Sequence, residues 1–408
     1  MKYFILLCDG MADLPIAGLD GKTPMEAAAI PSMDMLARSG YTGMMKTVPD
    51  SVFPGSDTAN MSIMGYDPEK YYTGRAPIEA ISIGIDLQPG DIAFRTNLVT
   101  LSEDEPYEEK IMIDYSSDEI TSSEAKEIIE CIDQSFGNDR ISFYPGKSYR
   151  HCMVWKKASI KGDFTPPHDI LLRKIGEYLP ADPHHKFIRD MMVCSFDILK
   201  NHPVNIQRRK SCLNPANSIW IWGQGTKPAF PKLTERYNIK GSVITAVDLI
   251  FGLGICAGLD VIEVPGATGN IHTNFEGKAK AAIKEFEKGQ DYIYLHVEAP
   301  DECGHRNELD NKIKSIEQID KKILSPVYTY LVKNKAETGE DFRILITPDH
   351  PTPISLRTHT NDPVPFIIYT SDNSLYNPSS AYSEAECRKS GVYIDKGYEL
   401  FEKLIYKS

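Results

Sequence analysis

The chain has 408 residues, 41% hydrophobic and 25% charged, the balance of a globular protein long enough to bury a large core. Its net charge of −12 argues against general nucleic-acid binding, which selects basic surfaces. Any phosphate it handles therefore needs a local cation, metal or arginine cluster. The first residues hold too short an apolar run for a signal-peptide core, no run approaches a membrane span, and the eight cysteines are scattered without a CxxC pair. A cytoplasmic protein with reduced thiols and no membrane partner is the expectation.

Tyr3–Cys8 is a continuous apolar run, the pattern of a central parallel strand buried on both faces, and it stops at the Asp9-Gly10 turn. Residues 24–40 read as helix broken near Pro31, with Ser32 placed to cap a second short helix ending at Gly40. Thr42–Thr47 reads as a short strand. A loop rich in Pro, Gly and Ser over 49–55 then delivers Ser56 to the start of a helix, where free backbone N–H groups are available.

From about Ile83 to Pro180 the strands Asp91–Leu98, Lys110–Asp114, Ile141–Tyr144 and His151–Lys156 surround one helix, Ser122–Phe136, without strict βα alternation. Helix His185–Lys200 and strand Ser218–Trp222 then resume the alternation. They are followed by a glycine-interrupted helix Thr245–Cys256, strand Leu259–Val264, helix Gly277–Lys288 and strand Asp291–Val297. A helical stretch Asn311–Val332, kinked before Pro326, precedes strand Arg343–Thr347, and Asp395–Tyr406 forms a last helix. The organisation expected is a doubly wound α/β domain with a mostly parallel sheet, built from residues 1–84 and 182–408. A smaller α+β domain is inserted at 85–181.

Three apolar strands end in residues that bind divalent cations. The first leads to Asp9, Tyr292–Val297 leads through Glu298-Ala299-Pro300 to Asp301 and His305, and Arg343–Thr347 leads to Asp349-His350. The Asp301-x-x-x-His305 spacing lets both side chains face one direction if the segment makes a helical turn. His359, in a Thr-His-Thr-Asn loop, and the Ser56 hydroxyl complete a pool that suits two divalent ions. Carboxylate and imidazole favour Zn or Mn, and accept Mg or Co. A structural metal is the alternative, but such zinc sites are closed and rich in sulfur, and Cys303 interrupts the ligand pair without the right spacing. Ser56 reads either as a nucleophile, its proton removed by a base or by metal coordination, or as a helix N-cap. Spacing leaves both open.

Asp9-Gly10, the Pro54–Pro68 stretch PGSDTANMSIMGYDP, the His296–His305 stretch HVEAPDECGH, and Thr347-Pro348-Asp349-His350 with His359 resemble one family. So do Trp220–Gly225 and Val264–Gly269, and the likeness runs through essentially the whole chain. The family is the archaeal-type cofactor-independent phosphoglycerate mutases of the alkaline phosphatase superfamily, which implies an alkaline-phosphatase-like fold. The resemblance implies that Asp301, His305 and His359 hold one metal and that Asp9, Asp349, His350 and the Ser56 oxygen hold the other. Ser56 would take the phosphate of a phosphoglycerate as phosphoserine and return it to the other hydroxyl, interconverting 2-phosphoglycerate and 3-phosphoglycerate. The inserted domain would serve as a cover excluding water.

The partner implied is a small phosphorylated hydroxy acid, whose anionic groups call for arginine forks. Arg95, and Arg150 with His151, are the candidates, with surface salt bridging as the alternative; Lys278 and Arg357 are weaker ones. His296, in mid-strand, reads as a hydrogen-bonded core histidine. Cys303 departs from the family pattern and marks an expected oxidation sensitivity near the site. The chain also resembles a subgroup proposed to phosphorylate homoserine. A homoserine O-phosphotransferase or a phosphatase on the same core is therefore an alternative, and a non-catalytic metal-binding protein is another. No helix carries a stripe that indicates an oligomeric state.

Overall fold

The computed structural model describes residues 1–52, 54–158, 162 and 164–406. It comprises two compact units, one of Met1–Tyr72 with Ala229–Ser408 and one of Thr73–Pro228. In chain order the strands are β1 (Lys2–Cys8), β2 (Tyr41–Met45), β3 (Ile92–Leu101), β4 (Met112–Asp114), β5 (Ile141–Tyr144), β6 (Arg150–Trp155) and β7 (Ser218–Thr226). They continue with β8 (Gly241–Ile244), β9 (Asp260–Ile262), β10 (Tyr292–Val297), β11 (Phe342–Thr347), β12 (Val364–Thr370) and β13 (Tyr393–Ile394).

The first unit is an α/β layer structure around an eight-stranded sheet of order β13-β2-β12-β11-β1-β10-β8-β9. Five of its seven pairings are parallel; β12 runs against both of its neighbours, β11 and β2. Every residue of β1, β10 and β11 is buried, which is why these strands read as mostly apolar runs rather than alternating ones. Their core is completed by helix residues such as Met33, Leu36, Phe275, Phe286, Ile316 and Leu331. Pro31 occupies the first position of the helix Pro31–Ala37, so Ser32 is not its cap. The Asp320 carboxylate does that work from a distance, accepting the N–H groups of Ser32 at 3.2 Å and Met33 at 2.7 Å. The kink expected before Pro326 is a π-helical turn, Asp320–Leu324, between helices Leu309–Ile319 and Ser325–Thr338. The wider turn makes room for a proline ring that would otherwise strike the preceding turn.

The second unit is α+β and wider than 85–181. Its five-stranded sheet is antiparallel, with β3 paired to β4, β6 and β7, and β6 paired to β5. β7, which sequence order suggests for the parallel sheet, runs along β3 instead, from Ile219 opposite Leu98 to Trp222 opposite Arg95. The preceding helix Lys186–Leu199 joins the same core through Ile188, Met191, Met192, Phe196 and Leu199. Alternation of helix and strand along a chain does not fix the sheet in which a strand finds its partner. No helix among the described residues is long and apolar enough to cross a membrane.

Candidate active site

β11, β1 and β10 are adjacent and parallel, with Leu7 opposite Thr347 and Cys8 opposite Val297, so their carboxyl ends share one edge. Such an edge is where open α/β sheets place ligands. Asp9 follows β1 directly, Asp349 and His350 follow β11 across Pro348, and β10 runs into the helix Ala299–Arg306. That helix makes the turn that unites Asp301 and His305: His305 Nε2 lies 3.2 Å from Asp301 Oδ2. His359 closes this group, its Nε2 3.4 Å from Asp301 Oδ1 and 2.9 Å from His305 Nε2. His305 Nδ1 is 3.0 Å from the Arg357 carbonyl and must donate to it, so Nε2 is the atom that could serve as a ligand once its proton is lost.

The second group is Asp9, Asp349 and His350; in each group the ligand atoms lie within 4.8 Å of one another. His350 Nε2 is 3.4 Å from Asp349 Oδ2, 3.7 Å from Asp9 Oδ1 and 3.1 Å from Ser56 Oγ. The Thr352 hydroxyl donates to Asp301, so it accepts from His350 Nδ1 at 3.3 Å, and His350 Nε2 is also left bare. The two groups adjoin: the rings of His350 and His359 stack with centroids 3.9 Å apart.

Three carboxylates are buried here, Asp9, Asp301 and Asp349, with exposures of 1%, 5% and 0%. Burial first, then the neighbouring Asp349 and Asp301, pushes the Asp9 carboxyl well above the usual range. Burial acts the same way on Asp301, but hydrogen bonds from His305 and His359 outweigh it and hold Asp301 well below. His305 is correspondingly raised to about 9 by Asp301, while burial lowers His350. Asp9 Oδ1 has no hydrogen-bond partner. Clustered buried carboxylates and an orphaned carboxylate oxygen are relieved by a divalent cation, and the oxygen–nitrogen donor set fits one.

Ser56 opens the helix Ser56–Ile63, but the cap position belongs to Gly55 and no side chain caps the helix. The hydroxyl is thus spared the N-cap role and points at His350. Gly10 is indispensable for a different reason. Its φ is +61°, and a Cβ there would lie 2.6 Å from both Asp301 Cα and Thr352 Oγ1. Its N–H donates to Asp349 Oδ1 at 3.1 Å. Two residues that the sequence did not mark support the site. Asn60 donates to Asp349 Oδ2 at 2.9 Å, and its spacing of four from Ser56 on one helix face was the available signal. Lys312, fully buried, joins Asp13 at 2.7 Å to the Thr352 carbonyl at 2.8 Å; nothing local announces it. Cys303, the site of the expected oxidation sensitivity, is buried, and burial pushes its thiol up to about 11.

Of the residues expected to recognise substrate, Arg95 and Arg150 lie in the second unit on one face of the sheet, Arg150 opposite Asn97. Arg95 is 2.9 Å from Glu79 and stacks 4.4 Å over Trp222. Burial would raise Glu79, yet Arg95, Arg75 and Arg150 together hold it low, which places three guanidinium groups around one carboxylate. His151, next along β6, takes the opposite face; its Nδ1 accepts the Gly146 N–H at 3.0 Å. Burial, then Arg150, lowers it to about 3. Lys278 is buried and donates to the His296 carbonyl at 2.9 Å.

A mostly parallel α/β sheet thus presents two carboxylate–imidazole groups and a serine at its strand ends. A family model described as 2,3-bisphosphoglycerate-independent phosphoglycerate mutase matches residues 37–205. The 2,3-bisphosphoglycerate-independent phosphoglycerate mutase of Methanosarcina barkeri is 48% identical over 99% of both chains, and a probable one of Geobacter sulfurreducens is 45% identical over 99% of this chain and all of its own. A solved structure from Pyrococcus horikoshii superposes with a TM-score of 0.81 at 29% identity, covering 100% of this chain and 98% of its own. The cofactor-independent phosphoglycerate mutase of Thermoplasma acidophilum gives 0.65 at 26% identity, covering 99% of each. The chain belongs to the family of 2,3-bisphosphoglycerate-independent phosphoglycerate mutases.

Proposed function

We propose that the chain interconverts 2-phosphoglycerate and 3-phosphoglycerate through a phosphoserine at Ser56, using two divalent cations, Mn or Zn foremost. Asp301, His305 and His359 would hold one; Asp9, Asp349, His350 and the Ser56 oxygen would hold the other. The observation that carries this reading is the Ser56 hydroxyl, released from capping and 3.1 Å from His350 Nε2 beside the buried carboxylates. When bound, the cations lower the pKa of the serine hydroxyl and neutralise charge on the transferring phosphoryl group.

The chain's own groups do the rest. Ser56 Oγ bonds to phosphorus as the bond from phosphorus to the substrate oxygen breaks; one proton leaves Ser56 and one reaches the departing oxygen. At the first turn of the Ser56–Ile63 helix the Thr58 N–H is taken by Asp57 Oδ1 at 2.9 Å, and the Ser56 and Asp57 amides are assigned to the phosphoryl group. Glycerate then offers its other hydroxyl and the exchange reverses. Arg95, held by Glu79 and Trp222, and Arg150 are assigned the substrate's anionic groups, for which a guanidinium fork is suited. His151 is assigned support of the turn at Gly146 on the other strand face.

The test supplies 3-phosphoglycerate with enolase as the coupling enzyme and added Mn or Zn. Turnover is expected from the wild type and none from Ser56→Ala, with phosphoserine at residue 56 detected by mass spectrometry after rapid quenching. A metal-loaded wild type without turnover would sink the mutase reading, and ATP with homoserine in a parallel arm would then reveal the kinase-like alternative.

A further inference from the structure

Two carboxylates of one ligand group are tied to the same face of one buried strand. Tyr294 and His296 lie two residues apart on β10, project from one face, and are both 0% exposed. His296 is held at each ring nitrogen: Nδ1 lies 3.1 Å from the Thr245 hydroxyl and Nε2 lies 2.9 Å from Asp9 Oδ2. That hydroxyl accepts the Val247 N–H at 3.1 Å, which leaves its own proton for His296 Nδ1. As a cation ligand Asp9 would be ionised and would only accept, so Nε2 would carry the ring proton and donate it to Asp9. Both constraints select one tautomer.

The second relay runs from Tyr294, whose hydroxyl donates to Asn60 Oδ1 at 2.6 Å and so orients the amide. The Asn60 nitrogen then donates to Asp349 Oδ2 at 2.9 Å and to the Ser56 carbonyl at 2.8 Å. One amide thereby fixes a ligand carboxylate and the backbone of the nucleophile together. Neither relay reaches the Asp301 group, which has its own tie through Thr352.

We propose that Tyr294 and His296 are positioning residues that decide which carboxylate oxygens remain for the cation at Asp9, Asp349, His350 and Ser56. His296 occupies Asp9 Oδ2 and leaves Oδ1, the oxygen without a partner, as the single ligand atom. Tyr294, through Asn60, sets the separation of Asp349 from Ser56. Groups behind metal ligands that orient them typically change affinity by about 10–100-fold when removed. This inference rests on the two-cation reading above.

The test titrates Co2+ into the purified chain, followed by visible absorption and calorimetry, for wild type, Tyr294→Phe, His296→Leu and His296→Gln. Two binding steps are expected in the wild type, with one of them weakened about 10–100-fold in Tyr294→Phe and His296→Leu and the other unchanged. His296→Gln, whose amide N–H reaches the place of ring Nε2, recovers most of the loss. At subsaturating Co2+ kcat falls, saturating Co2+ restores it, and KM stays constant. Circular dichroism checks the fold, and Tyr294→Phe, which keeps its ring packing, stands alone if His296→Leu does not fold. Wild-type uptake with both steps unchanged in folded Tyr294→Phe overturns this proposal alone. A wild type that takes up no Co2+ overturns the two-cation reading and the proposal with it.

Discussion

Lys312→Met isolates the brace between the two loops that carry the candidate ligands. The Lys312 and Asp13 side chains are 0% and 1% exposed, with Nζ 2.7 Å from Oδ2, and Nζ also donates to the Thr352 carbonyl at 2.8 Å. Asp13 lies four residues past Asp9 and Thr352 two past His350, so the pair ties the ends of β1 and β11 beyond the sheet. Methionine fills the volume but leaves a buried carboxylate without its cation. Breaking one side of a buried pair costs about 3–5 kcal/mol. Asp13 keeps backbone N–H donors from Leu14 at 2.8 Å and Ile354 at 3.1 Å, which places the expected loss near the lower end, about 3 kcal/mol. Urea unfolding of wild type, Lys312→Met, Asp13→Leu and the double variant measures the coupling. The double variant should regain much of the loss, because no charge then stays buried alone. A single-variant loss below about 1 kcal/mol, or a double variant no better than the single, refutes the reasoning.

Three further outcomes follow from the site. Gly10→Ala forces a Cβ to within 2.6 Å of Asp301 Cα at a φ of +61°, so metal uptake should collapse and stability should fall by more than about 2 kcal/mol; calorimetry and urea unfolding check both. Because Asp301 raises His305 to about 9, the metal-free imidazole is charged at pH 7, and cation binding there must release its proton. The pair's own contribution to metal-free stability is full below the ordinary histidine pKa and lost as pH rises through about 9. Calorimetry in buffers of different ionisation enthalpy should show proton release at pH 7 that vanishes above that value. Chelation should lower the unfolding midpoint, since a cation at a hundred times its Kd adds about 2.7 kcal/mol per site; equal midpoints with and without chelator would contradict the metal centre.

The candidate ligands were legible because strands buried on both faces are mostly apolar, so carboxylates just beyond each run stand out. Asp9 and Asp349 are such residues, Asp301 follows Glu298 one helical turn into Ala299–Arg306, and the parallel pairing of β11, β1 and β10 brings their ends to one edge. The spacing of Asp301 and His305 carried their meeting as well, since a single helical turn suffices. What escaped lay in tertiary pairing. β7 looks from its sequence like any central strand, and only its partner β3 assigns it to the second sheet. Ser32 carries the right chemistry for a cap, yet Asp320, 288 residues away, supplies it. Arg150 and His151 read as a unit although strand geometry sends them to opposite faces. His296 shows the limit most sharply. As a core histidine with satisfied nitrogens it fits the sequence reading in full. Yet the acceptor that satisfies it is the carboxylate of Asp9, so a residue can be structural by its burial and functional by its partner. Only the identity of that partner, across 287 residues of chain, separates the two.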